Sequence, residues 1–145
     1  MPITIIRHAQ STSNAYGDMS RNVPITDIGK DQTKSLKFDA DLVICSTMRR
    51  ARETLDNSNI TYKKVIFTDL CREYLNKNPT NYYNGEDIIY ESYNDLVDRI
   101  SKFNNYLKDM QKDYDNIIVI THHDFLHKMT GFSFKNCYWM KYNPK

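Results

Sequence analysis

The chain has 145 residues, enough for one domain that buries roughly 68 to 70% of its unfolded surface. Apolar residues make up 40% and charged residues 26%, a balance that excludes a disordered or fibrous chain. A formal net charge of +2 without a prominent basic block gives no ground for a nucleic-acid partner, and no apolar run nears the roughly 18 residues of a membrane span. We therefore expect a single domain over residues 1–145, with neither a nucleic-acid nor a membrane partner.

The first residues, Met1 to Ile6, lack a basic leader and run into Arg7 and His8, so they do not read as a signal peptide. Cys45, Cys71 and Cys137 form an odd set with no Cys-x-x-Cys spacing. Such usage suits a reducing compartment, and the expected location is cytoplasmic.

Ile3–Ile6 is short and β-branched, as a buried strand should be. Thr26, with Pro24 just upstream, is placed to cap a helix reaching about Leu36. Leu42–Cys45 reads as the second strand, and Ser46 or Thr47 as the cap of a helix through Leu55. Lys64–Phe67 is the third strand. From Arg72 to Asp87 the chain is irregular, with Asn-Pro and Asn-Gly turn signals, and long loops of this kind are often functional. About Ile88 to Met110 places Leu96, Ile100, Phe103 and Leu107 at helical spacing. Asn116–Ile120 is a fourth strand, Asp124–Thr130 a short helix closed by Gly131, and Phe132–Tyr142 a last edge strand. The alternation predicts an α/β fold, a three-layer α/β/α sandwich whose mostly parallel central sheet carries an antiparallel edge strand.

The first strand ends in Arg7-His8, and ligands of open α/β sheets bind at the carboxyl ends of strands. An imidazole with an ordinary pKa of about 6.5 is a good phosphorus nucleophile near neutrality. An arginine beside it offers a rigid, always charged fork to phosphate oxygens. Taken alone, the pair reads more readily as a surface histidine beside a solvated arginine.

The wider run Arg7-His8-Ala9-Gln10-Ser11-Thr12-Ser13-Asn14 resembles the Arg-His-Gly signature of the histidine phosphatase superfamily, which includes the phosphoglycerate mutases. Four more segments agree in order. Pro24-Ile25-Thr26-Asp27-Ile28-Gly29-Lys30-Asp31-Gln32 is similar to the family's Pro-Leu-Thr-x-x-Gly-x-x-Gln. Ser46-Thr47-Met48-Arg49-Arg50-Ala51-Arg52-Glu53-Thr54 is similar to Ser-Pro-Leu-x-Arg-Ala-x-x-Thr. Leu70-Cys71-Arg72-Glu73 is similar to Leu-x-Glu, and Val119-Ile120-Thr121-His122-His123 to Val-Ser-His-Gly. Glu91-Ser92 through Arg99 further resembles a Glu-Ser-x-x-Asp-x-x-x-Arg helix start, which would bring Ser92 near the pocket.

The resemblance implies a phosphatase acting through a phosphohistidine on His8. It implies phosphate binding by Arg7, Arg50, His122, Asn14 and Thr26, and a proton donor at Glu73, with Glu86 as the rival carboxylate. Arg49 and Arg52 are then helix-surface charges. It implies no cofactor and no metal; His123 and His127, four apart, lack a third ligand at motif spacing. The substrate would be a small phosphate ester or a phosphoprotein. Tyr82 and Tyr83 read as packing or loop anchors.

Two departures stand out. Ala9 and His123 occupy positions where the family has glycine. If the first needs a positive φ, its β-carbon costs about 1 to 2 kcal/mol. His123 could pack away, face the substrate or reshape the entrance. A mutase-like phosphotransferase and a weakly active phospho-ligand binding module therefore stand as alternatives. The oligomeric state is not legible.

Overall fold

The computed structural model describes residues 2–17, 22–75 and 91–145. Among the described residues five strands form one sheet, in the order β3-β2-β4-β1-β5. These are β1 (Ile3–Arg7), β2 (Asp39–Ser46), β3 (Thr61–Thr68), β4 (Ile117–Thr121) and β5 (Trp139–Tyr142). The first four are parallel, and β5 runs antiparallel beside β1. The helices are α1 (Thr12–Tyr16), α2 (Asp27–Thr33), α3 (Arg49–Asn57), α4 (Tyr93–Met110) and α5 (His123–Thr130), with a 3-10 turn at Asp69–Cys71.

Because side chains alternate along a strand, each central strand feeds two cores. Ile3 and Ile5, Leu42 and Ile44, and Ile117 and Val119 pack with Leu96, Ile100, Phe103 and Leu107 of α4 and Phe125, Leu126 and Met129 of α5. Ile6, Val43, Cys45, Ile118 and Ile120 face the other way, onto Ala51 and Leu55 of α3 with Ile25 and Leu36. Helices on both faces of a largely parallel sheet make the three-layer α/β/α sandwich. The three cysteines are free and buried.

Several expected boundaries move. The helix opened by Thr26 ends at Thr33, because Leu36 turns back into the core, its N–H donating to the Thr33 carbonyl. The long helix begins at Tyr93, where Ser92 and Asp95 form a capping box; residues 76–90 lie outside the described residues. The last strand is confined to Trp139–Tyr142, preceded by Cys137 at φ 59°. Both β2 and β3 are longer than expected, and α5 starts one residue earlier, at His123.

Two features differ in kind. Helix α1 was not anticipated. It is a five-residue turn held by a reciprocal Ser11/Asn14 capping box and ended by Gly17 at φ 68°. Neither Ser46 nor Thr47 caps α3. Met48 stands at that position with no side-chain cap bond, since the Thr47 hydroxyl pairs with Asp69 at 2.5 Å and the Ser46 hydroxyl is engaged by His122.

Candidate active site

The parallel strands β1, β2 and β4 end at one rim, where Arg7 lies opposite Thr121 and Cys45 opposite Ile120. His8 follows β1 directly, His122 follows β4, and Arg50 opens α3 just after β2. The topology thus draws together residues more than a hundred positions apart. A cavity of about 170 Å³ opens there, lined by Arg7, His8, Ser11, Ser13, Asn14, Arg50, Glu73, Tyr74, Leu75 and Asp124.

His8 is 3% exposed. Its Nδ1 lies 2.7 Å from the Ala9 carbonyl oxygen, and since a carbonyl can only accept, Nδ1 carries the proton and Nε2 the lone pair. Burial, and then the Arg50 charge, hold the imidazole well below its ordinary pKa of 6.5. His8 is therefore a neutral imidazole at neutral pH. Its backbone is pinned on both sides, with its N–H donating to Thr121 O at 3.0 Å and its carbonyl accepting from Asn136 Nδ2 at 3.2 Å.

His122 is fully buried, its ring centroid 5.2 Å from that of His8 in an edge-on arrangement. Its Nε2 pairs with Ser46 Oγ at 2.8 Å. Among the described residues its Nδ1 is buried without a hydrogen-bond partner, as is Nε of Arg7. Burial and the Arg50 charge depress its pKa as well. Arg7 donates from Nη1 to the Phe134 carbonyl at 2.8 Å, and Arg50 is buried beneath the cavity rim. Burial lowers the Arg7 pKa, yet a guanidinium stays charged at neutral pH.

Glu73 sits at the N-terminus of α5. His122 is the N-cap residue but makes no side-chain cap bond, its ring being turned to Ser46. Glu73 takes over that function. Its Oε1 accepts from the N–H of Phe125 at 3.0 Å and of Tyr74 at 2.9 Å, and its Oε2 accepts from the N–H of Asp124 at 3.3 Å. These donors favour the carboxylate. Burial, then the nearby Asp124 charge, outweigh them and raise the pKa above 4.5.

The remaining expected residues separate. Asn14 lines the cavity, and its Oδ1 accepts from the Ser11 N–H at 3.0 Å and from Asn136 Nδ2 at 3.2 Å. Thr26 is not among the lining residues. Its hydroxyl accepts from the Gly29 N–H at 3.0 Å and lies 2.7 Å from Gln10 Oε1, while its own N–H donates to the Gln10 carbonyl at 2.9 Å. Gln32 Oε1 accepts from the Gln10 N–H at 2.8 Å. A β-carbon on Gly29 would collide with the Gln10 carbonyl oxygen. The Thr26, Gly29 and Gln32 segment therefore fixes the loop after the histidine rather than reaching the cavity. Ser92 caps α4 and lies outside the lining, and Glu86 lies outside the described residues.

Both glycine replacements are accommodated. Ala9 is not among the positive-φ residues, and its methyl packs in the core with Ile6 and Ile25. His123 is not among the lining residues; its Nδ1 lies 2.9 Å from Asp124 Oδ1, and its ring stacks on His127 with centroids 6.0 Å apart. Among the described residues no three His, Cys, Asp or Glu side chains are grouped as a metal ion requires. Sequence reasoning named neither Asp124 nor Ser11 and Ser13 as cavity residues, because lining depends on where helix ends come to rest.

No family model matches the chain. A Schizosaccharomyces pombe protein named as a probable phosphatase is 28% identical over 148 aligned positions, covering 84% of this chain and 68% of that protein. The α-ribazole phosphatase of Shigella flexneri superposes with a TM-score of 0.72 at 19% identity, over 96% of this chain and 88% of that one. A variant of phosphoserine phosphatase from Entamoeba histolytica, solved with phosphoserine, superposes with a TM-score of 0.69 at 14% identity, over 97% and 89%. The structural neighbours are members of the histidine phosphatase superfamily, and this chain has their fold.

Proposed function

We propose that this chain, built on the histidine phosphatase fold, is a phosphatase that hydrolyses a phosphomonoester in two steps through a phosphohistidine on His8. The observation that carries the reading is the His8 tautomer. With Nδ1–H donated to the Ala9 carbonyl, the lone pair stands on Nε2 beside the charges of Arg7 and Arg50. A neutral nucleophile next to fixed cations is what attack on a phosphate dianion requires.

In the first step Nε2 of His8 bonds to phosphorus as the bond from phosphorus to the ester oxygen breaks, and Glu73 gives that oxygen its proton. In the second, water attacks the phosphohistidine while Glu73 takes the water's proton, restoring His8 and releasing inorganic phosphate. Arg7, Arg50 and His122 stabilise the equatorial oxygens, an electrostatic contribution fixed before the reaction begins. Arg7 lines the cavity and its buried Nε has no partner among the described residues, which supports this reading; His122 is not among the lining residues, and its ring lies edge-on to that of His8. Buried polar groups are rarely left unsatisfied, and a substrate oxygen is a natural partner for the Arg7 N–H. Asn14 adds a neutral hydrogen bond from the rim.

The raised pKa of Glu73 suits a proton donor better than a spectator carboxylate. The alcohol portion of the substrate leaves toward Glu73, between Tyr74, Leu75 and Asp124. A cavity of about 170 Å³ favours a compact phosphate ester or a phosphorylated side chain over a large ligand. Three free, buried thiols fit work in the cytoplasm.

The experiment is a phosphate-release assay over a panel of phosphomonoesters with wild type beside His8→Ala, and an acid quench after a labelled donor. Hydrolysis by wild type, with acid-labile label on the protein that is absent from His8→Ala, is the expected result. Interconversion of phosphoglycerates without phosphate release would make the chain a mutase. Tight binding of phosphorylated ligands with neither turnover nor label would make it a binding module.

A further inference from the structure

Arg99 of α4 is buried, at 6% exposure, and it is not among the cavity-lining residues. Its guanidinium uses its full fork. Nε and Nη2 donate to Glu91 Oε2 and Oε1 at 2.9 and 2.6 Å, and Nη1 donates to the carbonyls of Leu70 and Arg72 at 2.7 and 2.9 Å. Glu91, itself buried, donates its backbone N–H to the Leu75 carbonyl at 2.8 Å. The guanidinium carbon also stands 4.8 Å over the ring of Phe125, whose N–H holds Glu73 Oε1. The segment that carries Glu73 is thus gripped before it at Leu70 and Arg72, after it at Leu75, and behind its carboxylate at Phe125.

We propose that Arg99, neutralised by Glu91, is the positioning residue that sets the Glu73 carboxyl in line with the departing oxygen; the proposal rests on the phosphatase reading above. A loop carrying a proton donor needs an anchor that does not itself compete for the proton. A guanidinium cannot be deprotonated in a protein, and its planar donors match a bidentate carboxylate and two carbonyls at once. Lysine has three donors on a flexible stem and cannot reproduce that geometry. The pair is too buried to act through solvent, and an isolated charge there would be costly, so Glu91 and Arg99 work as a unit. Misplacing a catalytic group by about 1 Å is enough to slow a reaction on the order of 100-fold.

The test uses leaving groups that differ in their need for a proton. 4-Nitrophenolate departs readily as an anion, whereas the alkoxide of glycerol 2-phosphate must be protonated as it leaves. Wild type, Arg99→Lys and Glu73→Gln are compared on both esters. For Arg99→Lys we expect kcat/KM, which reports the step in which the leaving group departs, to fall at least about 10-fold more on glycerol 2-phosphate than on 4-nitrophenyl phosphate, reproducing in weaker form the pattern of Glu73→Gln. The alkaline limb of its pH profile on the alkyl ester should also move. Should Arg99→Lys fold poorly, the double variant Arg99→Met with Glu91→Met removes the buried pair together; it also takes the Glu91 carboxylate from Arg72, whose Nη2 stands 3.4 Å from it on a partly exposed side chain, and should give the same selective loss. Equal losses in kcat/KM on the two esters by a folded variant would overturn the positioning role while leaving the phosphatase reading intact. A folded wild type that hydrolyses neither ester would sink that reading, and this one with it.

Discussion

The Ala9 N–H donates to Thr54 Oγ1 at 2.9 Å, tying the residue after His8 to the second turn of α3. The same hydroxyl donates to the Arg50 carbonyl at 2.7 Å. One fully buried side chain therefore fixes the separation between the nucleophile's loop and the helix that presents Arg50. Thr54→Val keeps the shape and leaves the Ala9 N–H without its acceptor, which costs about 1 to 3 kcal/mol. We expect Thr54→Val to lower the denaturation midpoint and to depress kcat more than KM, and Thr54→Ser to restore most of both. Unchanged stability in Thr54→Val would show that the bond contributes little.

The pH profile follows from two displaced groups. His8 attacks only when unprotonated, and burial with Arg50 holds its pKa well below 6.5, so activity persists below neutrality and falls as pH drops through that depressed value. Glu73 donates only when protonated, and burial with Asp124 raises its pKa above 4.5, so activity on alkyl esters falls as pH rises through that raised value. Asp124→Asn removes the second cause. Its alkaline limb in kcat/KM should lie at lower pH than that of wild type, and a limb that stays put would remove Asp124 from the account.

Asp124 also bears on substrate choice. It is mostly exposed at the cavity mouth, on the side toward which the alcohol leaves. A carboxylate there repels a second carboxylate on the substrate, and screening keeps the effect modest. At a fixed pH below the alkaline limb, Asp124→Asn should raise kcat/KM for 3-phosphoglycerate relative to glycerol 2-phosphate by about 2- to 10-fold. Steady-state kinetics on the two esters decide it, and an unchanged ratio would place the Asp124 charge out of reach of the bound alcohol.

Gly29 owes its identity to a close approach. Alanine normally gains about 1 kcal/mol over glycine inside a helix. Here its methyl would meet the Gln10 carbonyl oxygen, a backbone atom two residues from His8. Gly29→Ala should therefore destabilise the protein by about 1 to 3 kcal/mol, read by chemical denaturation, and should slow turnover as the loop shifts. A stabilised variant would refute the contact.

The sequence by itself determined the alternation that builds the sandwich, because a strand buried on both faces and an amphipathic helix are each written in a few consecutive residues. Through its resemblance to the histidine phosphatases it also pointed to Arg7, His8, Arg50, Glu73 and His122 as candidates, since each lies in a short patch that matches a family segment in the same order. Helix α1 escaped notice because five residues stabilised by one capping box carry too little periodicity to see. Whatever depends on partners distant in the chain took its form on folding. Folding turned Ser46 from a helix cap into the partner of His122, and Thr26 from a phosphate ligand into a brace on Gln10. It set the proton on Nδ1 of His8, placed Asp124 beside Glu73, and closed the fork of Arg99 on Glu91, Leu70 and Arg72. Period and propensity are local properties of a chain, whereas the direction of a hydrogen bond and the pKa of a buried group are set by whatever the folded chain brings alongside.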